Sequence, residues 1–177
     1  VLQEDFNWSF VTERPRLADV HPFDGQNYVP VDTNVTLTFS QAMDRKATEE
    51  RFALLDIDQS PVSGHITWDG TALTFSPSQP LTPGGVYLVR LDSGAPAATG
   101  DSAIDGGYFG QFTVIEPPTV IRFEPQGENV APYEGLQITF SSPISTETLI
   151  EGLRVTPTVQ TYGTWPQEET TYYVATN

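Results

Sequence analysis

Two histidines are the first residues to consider for catalysis, because imidazole is the usual general base near neutral pH. His21 lies beside Pro22, and Glu124-Pro125 repeats this pattern later in the chain with an acid in place of the histidine. His65 precedes Trp68 on a predicted strand and is expected to face solvent. Neither histidine belongs to a recognisable catalytic motif, and the chain has no cysteine. The sequence therefore predicts a protein that is not an enzyme.

Acidic side chains could bind calcium, because Ca²⁺ takes six to eight oxygen ligands from carboxylates and carbonyls. The segment DSGAPAATGDSAIDGG contains Asp92, Asp101 and Asp105, which are weak calcium candidates. The twelve-residue EF-hand pattern is absent, and the alternative is a polar, solvated loop. We therefore expect no cofactor and no metal, with calcium at these three residues as the one alternative.

The charge balance excludes several classes of partner. The chain has 23 Asp and Glu residues against 8 Lys and Arg, which gives a formal net charge of −15. A surface this acidic repels phosphate backbones and anionic membranes. No segment is apolar for long enough to span a bilayer. We expect neither nucleic-acid binding nor membrane insertion.

Three tryptophans, Trp8, Trp68 and Trp165, could act as stacking platforms for a sugar. Trp68 and Trp165 occupy similar places in two similar halves of the sequence, 97 residues apart. We therefore interpret them as equivalent residues, and this interpretation favours a role in the core or at its rim.

The elements that would carry these residues are strands, because apolar side chains alternate with polar ones in several short segments. Fifteen Pro and fourteen Gly residues interrupt the chain often, which favours short strands and turns. The apolar residues with this spacing are Val35, Leu37 and Phe39; Leu73 and Phe75; Tyr87, Val89 and Leu91; Tyr108, Phe112 and Val114; and Leu136, Ile138 and Phe140.

The sequence also repeats itself with a period close to 100 residues. Phe39-Ser40 matches Phe140-Ser141 at an offset of 101, and Pro22 matches Pro125 at 103. This period is the size of one immunoglobulin-type sandwich. A short helix is predicted after each Phe-Ser pair, over residues 44–51 and 145–151, with Asp44 and Ser145 as N-caps. The predicted fold class is all-β, with tandem immunoglobulin-like β-sandwich domains.

The repeat predicts three segments. Residues 1–14 contain EDFNWSFVT, which is similar to the last strand of a preceding repeat. Residues 15–115 form a first Ig-like domain. Residues 118–177 form a second, incomplete one, since counterparts of the segments 80–91 and 108–114 are missing. An alternative is that the first strand completes the second copy. A joint at Glu116-Pro117-Pro118 separates the two domains.

The first domain resembles a family once its motifs are read in order. The segments VHPFDG (20–25), VPVDTN (29–34) and LTFSQAMD (37–44), followed by LTFSP (73–77) and GQFT (110–113), resemble a bacterial Ig-like domain of the type found in S-layer and other surface proteins. The resemblance covers about residues 15–114. It implies a sandwich fold and a location outside the bacterial cell or on its surface.

The second copy departs from this pattern at residues 130–136, VAPYEGL, and continues to LRVTP at 153–157. It is similar to early domains of bacterial α2-macroglobulin-like proteins, which are extracellular protease traps. The reactive thioester of that family requires a cysteine, so trapping chemistry would lie elsewhere in the parent protein.

Three functions remain open from these observations. The first is a non-catalytic structural or spacer module of a larger bacterial extracellular or cell-surface protein. The second is an N-terminal fragment of a bacterial α2-macroglobulin-like protease trap. The third is a calcium- or carbohydrate-binding module. The expected partners are other domains of the same parent chain, and the sequence identifies no external ligand.

Overall fold

The computed structural model describes residues 13–128, 130, 134–156 and 161–176, and the side chains of residues 161 and 162 are excluded from this description. Trp8 and the predicted strand in residues 4–12 lie outside it. Within the described residues the strands are β1 Leu17–His21, β2 Gln26–Val29, β3 Val35–Phe39, β4 Phe52–Asp56, β5 Gly64–Asp69, β6 Ala72–Pro77, β7 Val86–Leu91, β8 Tyr108–Val114, β9 Val120–Glu124, β10 Leu136–Phe140, β11 Thr161–Pro166 and β12 Thr171–Thr176. The predicted all-β fold class is confirmed.

Two short helices follow the Phe-Ser pairs, as the sequence predicts. They are α1, Arg45–Glu49, and α2, Thr146–Gly152. The Asp44 side chain accepts a hydrogen bond from the Ala47 backbone N–H, and the Ser145 side chain accepts one from Thr148. Both bonds satisfy a backbone donor that has no partner within the first turn of its helix.

The described residues form two compact units. The first unit comprises residues 13–26, 32–81 and 86–112, and the second comprises residues 27–31, 82–85 and 113–176. The predicted domain boundaries, 1–14, 15–115 and 118–177, stay a prediction.

The strands of residues 17–114 form two four-stranded sheets. One has the order β1-β3-β6-β5 and the other β2-β8-β7-β4. Every pairing in the first sheet is antiparallel, with Leu37 opposite both Val20 and Leu73. The rings of Phe52 on β4 and Phe75 on β6 lie with their centroids 5.4 Å apart, so side chains of two different sheets meet. This packing of one sheet on another is an Ig-like sandwich.

The core of the first unit consists of the residues whose spacing predicted it. Val35 and Leu37 are fully buried, and Phe39 is 2% exposed. Leu73, Val89, Leu91 and Phe112 are also buried almost completely. On β7, Leu88 is buried together with its neighbours, so this strand is covered on both faces.

Described residues after position 115, all in the second unit, form one further sheet, with the order β9-β10-β12-β11. It has the strand order of the sheet β1-β3-β6-β5. On one of its faces Ile138, Phe140, Tyr172 and Val174 form a buried cluster with Leu149 of α2. The Tyr172 hydroxyl donates to the Ile144 carbonyl and accepts from the Ile144 N–H at 3.0 Å, which fixes the segment that leads into α2.

The recurring Phe-Ser pairs make the same contacts in both sheets. Ser40 Oγ accepts a hydrogen bond from the Arg16 N–H, and Ser141 Oγ accepts one from the Thr119 N–H, both at 3.0 Å. In return, the Ser40 and Ser141 N–H groups donate to the carbonyls of Arg16 and Thr119. The serine that follows β3 or β10 therefore holds the segment that leads into the neighbouring strand, β1 or β9. This shared contact gives a physical reason for the recurrence of the serine.

Truncation of Phe112 tests the core of the first unit. Phe112 is 1% exposed and stacks on Tyr87, with ring centroids 5.8 Å apart. We predict that Phe112→Ala lowers the free energy of unfolding by about 3–5 kcal/mol, because it removes a large buried ring and leaves a cavity. Urea denaturation measures this change.

Phe109 is the matched control, because it lies on the same strand and is 65% exposed. Phe109→Ala is expected to change the free energy of unfolding by less than about 0.5 kcal/mol. Equal effects of the two substitutions would contradict the assignment of faces on β8.

Candidate functional site

The two histidines lie at opposite edges of one sheet. His21 is on β1 and His65 is on β5, which are the two edge strands of the order β1-β3-β6-β5. Both side chains are exposed, and His65 is opposite Ser76 on β6. The structure therefore does not bring the histidines together.

The calcium candidates are divided between two ion pairs and a pocket. Asp101 and Asp105 line a pocket of about 500 Å³ that Arg14 also lines, and the Arg14 guanidinium donates a hydrogen bond to Asp105. Asp92 does not line this pocket and pairs with Arg90, with 3.5 Å between Nε and Oδ1. Among the described residues, no group of three or more His, Cys, Asp or Glu side chains could hold a metal ion.

A second pocket of the first unit, of about 360 Å³, is lined by Tyr108 and Asp19 among other residues. Burial raises the pKa of the Tyr108 phenol above 10.0, and the negative charges of Asp24 and Asp19 raise it further. The phenol therefore stays protonated at neutral pH and can form hydrogen bonds.

Trp68 is a packing residue on the inner side of its sheet. It is opposite the fully buried Leu73, and its ring stacks on Phe39 with centroids 5.9 Å apart. The indole N–H donates to Glu49 Oε1 at 2.7 Å, and the Arg45 guanidinium lies 5.9 Å from the ring centroid. The expected role at the rim of the core agrees with these contacts.

Trp165 has a different environment, and the interpretation of Trp68 and Trp165 as equivalent residues is wrong. Leu73 is opposite Leu37 on β3, and Tyr172 is opposite Ile138 at the equivalent place on β10, so Leu73 and Tyr172 are counterparts. Trp68 is opposite Leu73, whereas Tyr172 is opposite Pro166. Trp165 is one position earlier, opposite Tyr173. Since side chains alternate between the faces of a strand, this one-residue difference places Trp165 on the outer face, where it is 50% exposed.

Trp165 begins a row of four side chains that crosses the whole sheet. Trp165 on β11 is opposite Tyr173 on β12, Tyr173 is opposite Gln137 on β10, and Gln137 is opposite Glu124 on β9. All four lie on the face opposite the buried cluster. We call these four residues the outer row.

The two rings of the outer row lie over glycines. Their centroids are 6.3 Å apart, and their planes are inclined by 30°. A Cβ at Gly163 would lie 2.7 Å from Trp165 Cη2, and one at Gly135 would collide with the Tyr173 ring. Glycine at these two positions therefore lets both rings rest against the backbone of the sheet.

Polar groups surround the Glu124 end of the outer row. A groove of about 1020 Å³ is lined by Tyr173, Gln137 and Glu124 of the row, and by Pro125, Gln126, Glu134 and Gly135. The Arg122 guanidinium donates to Glu124 Oε1 at 2.5 Å, which partly neutralises this carboxylate. The groove therefore offers amide and carboxylate groups next to an aromatic surface.

Comparison with known proteins gives one family. The model of a family described as a bacterial Ig-like domain matches residues 11–114. No curated protein matches the chain. In the described part of the chain, no helix is long and apolar enough to cross a membrane.

Solved structures similar to this chain share little sequence with it. CopC from Methylosinus trichosporium OB3b is 18% identical, with a TM-score of 0.47, over 58% of this chain and 94% of that protein. The copper resistance protein PcoC from Escherichia coli is 21% identical, with a TM-score of 0.42, over 56% and 98%. L,D-transpeptidase 1 from Mycobacterium tuberculosis is 19% identical, with a TM-score of 0.41, over 72% and 48%. Another transpeptidase structure is matched over only 41% of its length.

The family match covers more than half of the 177 residues and coincides with the sandwich described above. The chain belongs to the bacterial Ig-like domain family.

Calcium dependence tests the three acidic candidates. We predict that excess CaCl₂ and excess chelator give the same melting temperature, because Asp92 and Asp105 are already paired with arginines and Arg14 adds a positive charge to the pocket. Differential scanning calorimetry measures the temperature. A higher melting temperature in CaCl₂ than in chelator would establish a calcium site there instead, provided that Asp101→Asn and Asp105→Asn abolish the difference.

Proposed function

We propose that this chain is a non-catalytic structural module that spaces other domains of a larger bacterial extracellular or cell-surface protein. The observation that carries the proposal is the Ig-like family match, over a sandwich with a buried apolar core of its own. Such a fold is stable without contributing chemistry, and its exposed carboxylates keep it soluble.

The segment after β8 supports a spacing role. Glu116-Pro117-Pro118 contains two fixed φ angles, which restrict the chain to extended geometry. The Ser142 hydroxyl, which is fully buried, donates to the Glu116 carbonyl at 2.7 Å. A proline-rich segment of this kind is stiffer than a flexible linker, as a spacing role requires.

The similarity of residues 118–177 to early domains of bacterial α2-macroglobulin-like proteins stays a prediction. A protease trap of this family requires a thioester cysteine elsewhere in the parent protein, since this chain has no cysteine. The sequence of the parent gene tests this hypothesis directly.

Deletion and replacement of this module in the parent protein test the spacing role. Deletion of residues 13–176 is expected to bury an epitope placed on the side of the module away from the cell surface, so that antibodies no longer label intact cells. Replacement by an unrelated pair of Ig-like domains is expected to restore the labelling, because spacing depends on length and rigidity and not on a binding site. Parent function that only the native residues restore, with labelling equal in both variants, would contradict the proposal.

A further inference from the structure

We propose that the outer face of the sheet β9-β10-β12-β11 binds a neutral oligosaccharide along the outer row. The inference is independent of the spacing role, because it rests on the geometry of Trp165, Tyr173, Gln137 and Glu124 alone.

The aromatic end of the outer row provides a stacking surface. Trp165 is 50% exposed and is therefore accessible, and its neighbour Tyr173 extends the aromatic surface by one strand. An aromatic ring carries partial negative charge on its face, which attracts the partly positive C–H groups on the flat side of a sugar ring. Gly163 and Gly135 have no Cβ that would push the two rings away from the sheet, so the rings lie close to its backbone.

The polar end provides hydrogen bonds for hydroxyl groups. Gln137, which is exposed, carries a carbonyl acceptor and an amide donor, and Gln126 adds a carbonyl acceptor while its amide donates to the Phe123 carbonyl at 2.7 Å. Glu124 and Glu134 line the same groove and add acceptors for hydroxyl donors. Sugars present both donors and acceptors around an apolar ring face, and this combination matches a surface with stacked aromatics and planar polar side chains.

The length of the outer row favours an oligosaccharide over a single sugar. Adjacent strands are about 4.8 Å apart, so the row extends about 14 Å from β11 to β9. A single ring would contact one end only, whereas a chain of sugars contacts the aromatic and the polar end together.

Charge decides which sugars fit. Glu124 and Glu134 line the groove, and the chain has a net charge of −15. Sugar acids would meet like charge at short range, and this charge has only partial compensation from Arg122. A neutral sugar forms the same hydrogen bonds without this repulsion.

The first unit offers a natural comparison. Trp68 is half-buried on the inner face, stacks on Phe39 and uses its indole N–H to bind Glu49. Its ring is therefore part of the packing of its own unit. The exposure of Trp165 is specific to the second unit and has no counterpart at Trp68.

Isothermal titration of the 177-residue chain tests the proposal. The probes are the neutral hexasaccharides cellohexaose, xylohexaose, mannohexaose and chitohexaose, with hexagalacturonate as the acidic comparison. At least one neutral probe is expected to bind with a dissociation constant below about 1 mM, and this constant is expected to change little between low and high salt. Hexagalacturonate is expected not to bind. Absence of binding by all four neutral probes, or equal binding of the acidic one, would overturn the proposal.

Variants then locate the site. Trp165→Ala is expected to weaken binding of the neutral probe at least about tenfold, and Trp165→Phe is expected to recover part of the loss. Gly163→Ala keeps the indole, but the added Cβ would collide with it and displace it from its position over the sheet. This variant is therefore expected to weaken binding as well. Melting temperatures establish that each variant is folded, and this outcome is expected because the Trp165 ring lies outside the buried cluster.

The control is Phe109→Ala, which removes an exposed ring from the first unit and is expected to leave the affinity unchanged. Equal affinities of the native chain and Trp165→Ala would overturn the site. If the chain associates with itself and Trp165→Ala abolishes this association, the face binds a second copy of the chain, and the sugar proposal is overturned too.

Discussion

The register of β12 between β10 and β11 is the constraint on which the second unit depends. Tyr172 and Val174 point into the buried cluster, while Tyr173 and Ala175 point outward, because successive side chains on a strand alternate between its faces. A slip of one residue would bury Tyr173 and expose Tyr172, and it would break the hydrogen bonds between Tyr172 and Ile144. The core, the segment before α2 and the outer row therefore all follow from one choice of pairing.

The two units show how one strand order supports different surfaces. The sheets β1-β3-β6-β5 and β9-β10-β12-β11 share their antiparallel pairing, and Ser40 and Ser141 form the same hydrogen bonds in each. Their outermost tryptophans differ by one position along the strand, which places Trp68 against Phe39 and Trp165 beside Tyr173. A difference of one residue along the strand therefore places one tryptophan on the inner face and the other on the outer face of sheets with the same strand order.

The sequence was sufficient to predict the all-β fold class and the two helix N-caps, because that information is local and periodic. The alternation of Val35, Leu37 and Phe39 indicated a buried face, and the positions of Asp44 and Ser145 indicated helix N-caps. The outer row could not be predicted in the same way. Matching tryptophans in two halves of a sequence are easily aligned one residue out of register, and only the hydrogen-bonded pairing of Trp165 with Tyr173 distinguishes the outer from the inner face. The glycines beneath the rings were visible in the sequence, but their role depends on that pairing.

Cross-strand nuclear Overhauser effects between backbone protons of β10, β11 and β12 test the central claim about register most directly. The account predicts contacts that pair Trp165 with Tyr173 and Gln137 with Tyr173. Contacts that pair Trp165 with Tyr172 instead would place the tryptophan on the face of the buried cluster, and they would contradict both the outer row and the site proposed along it.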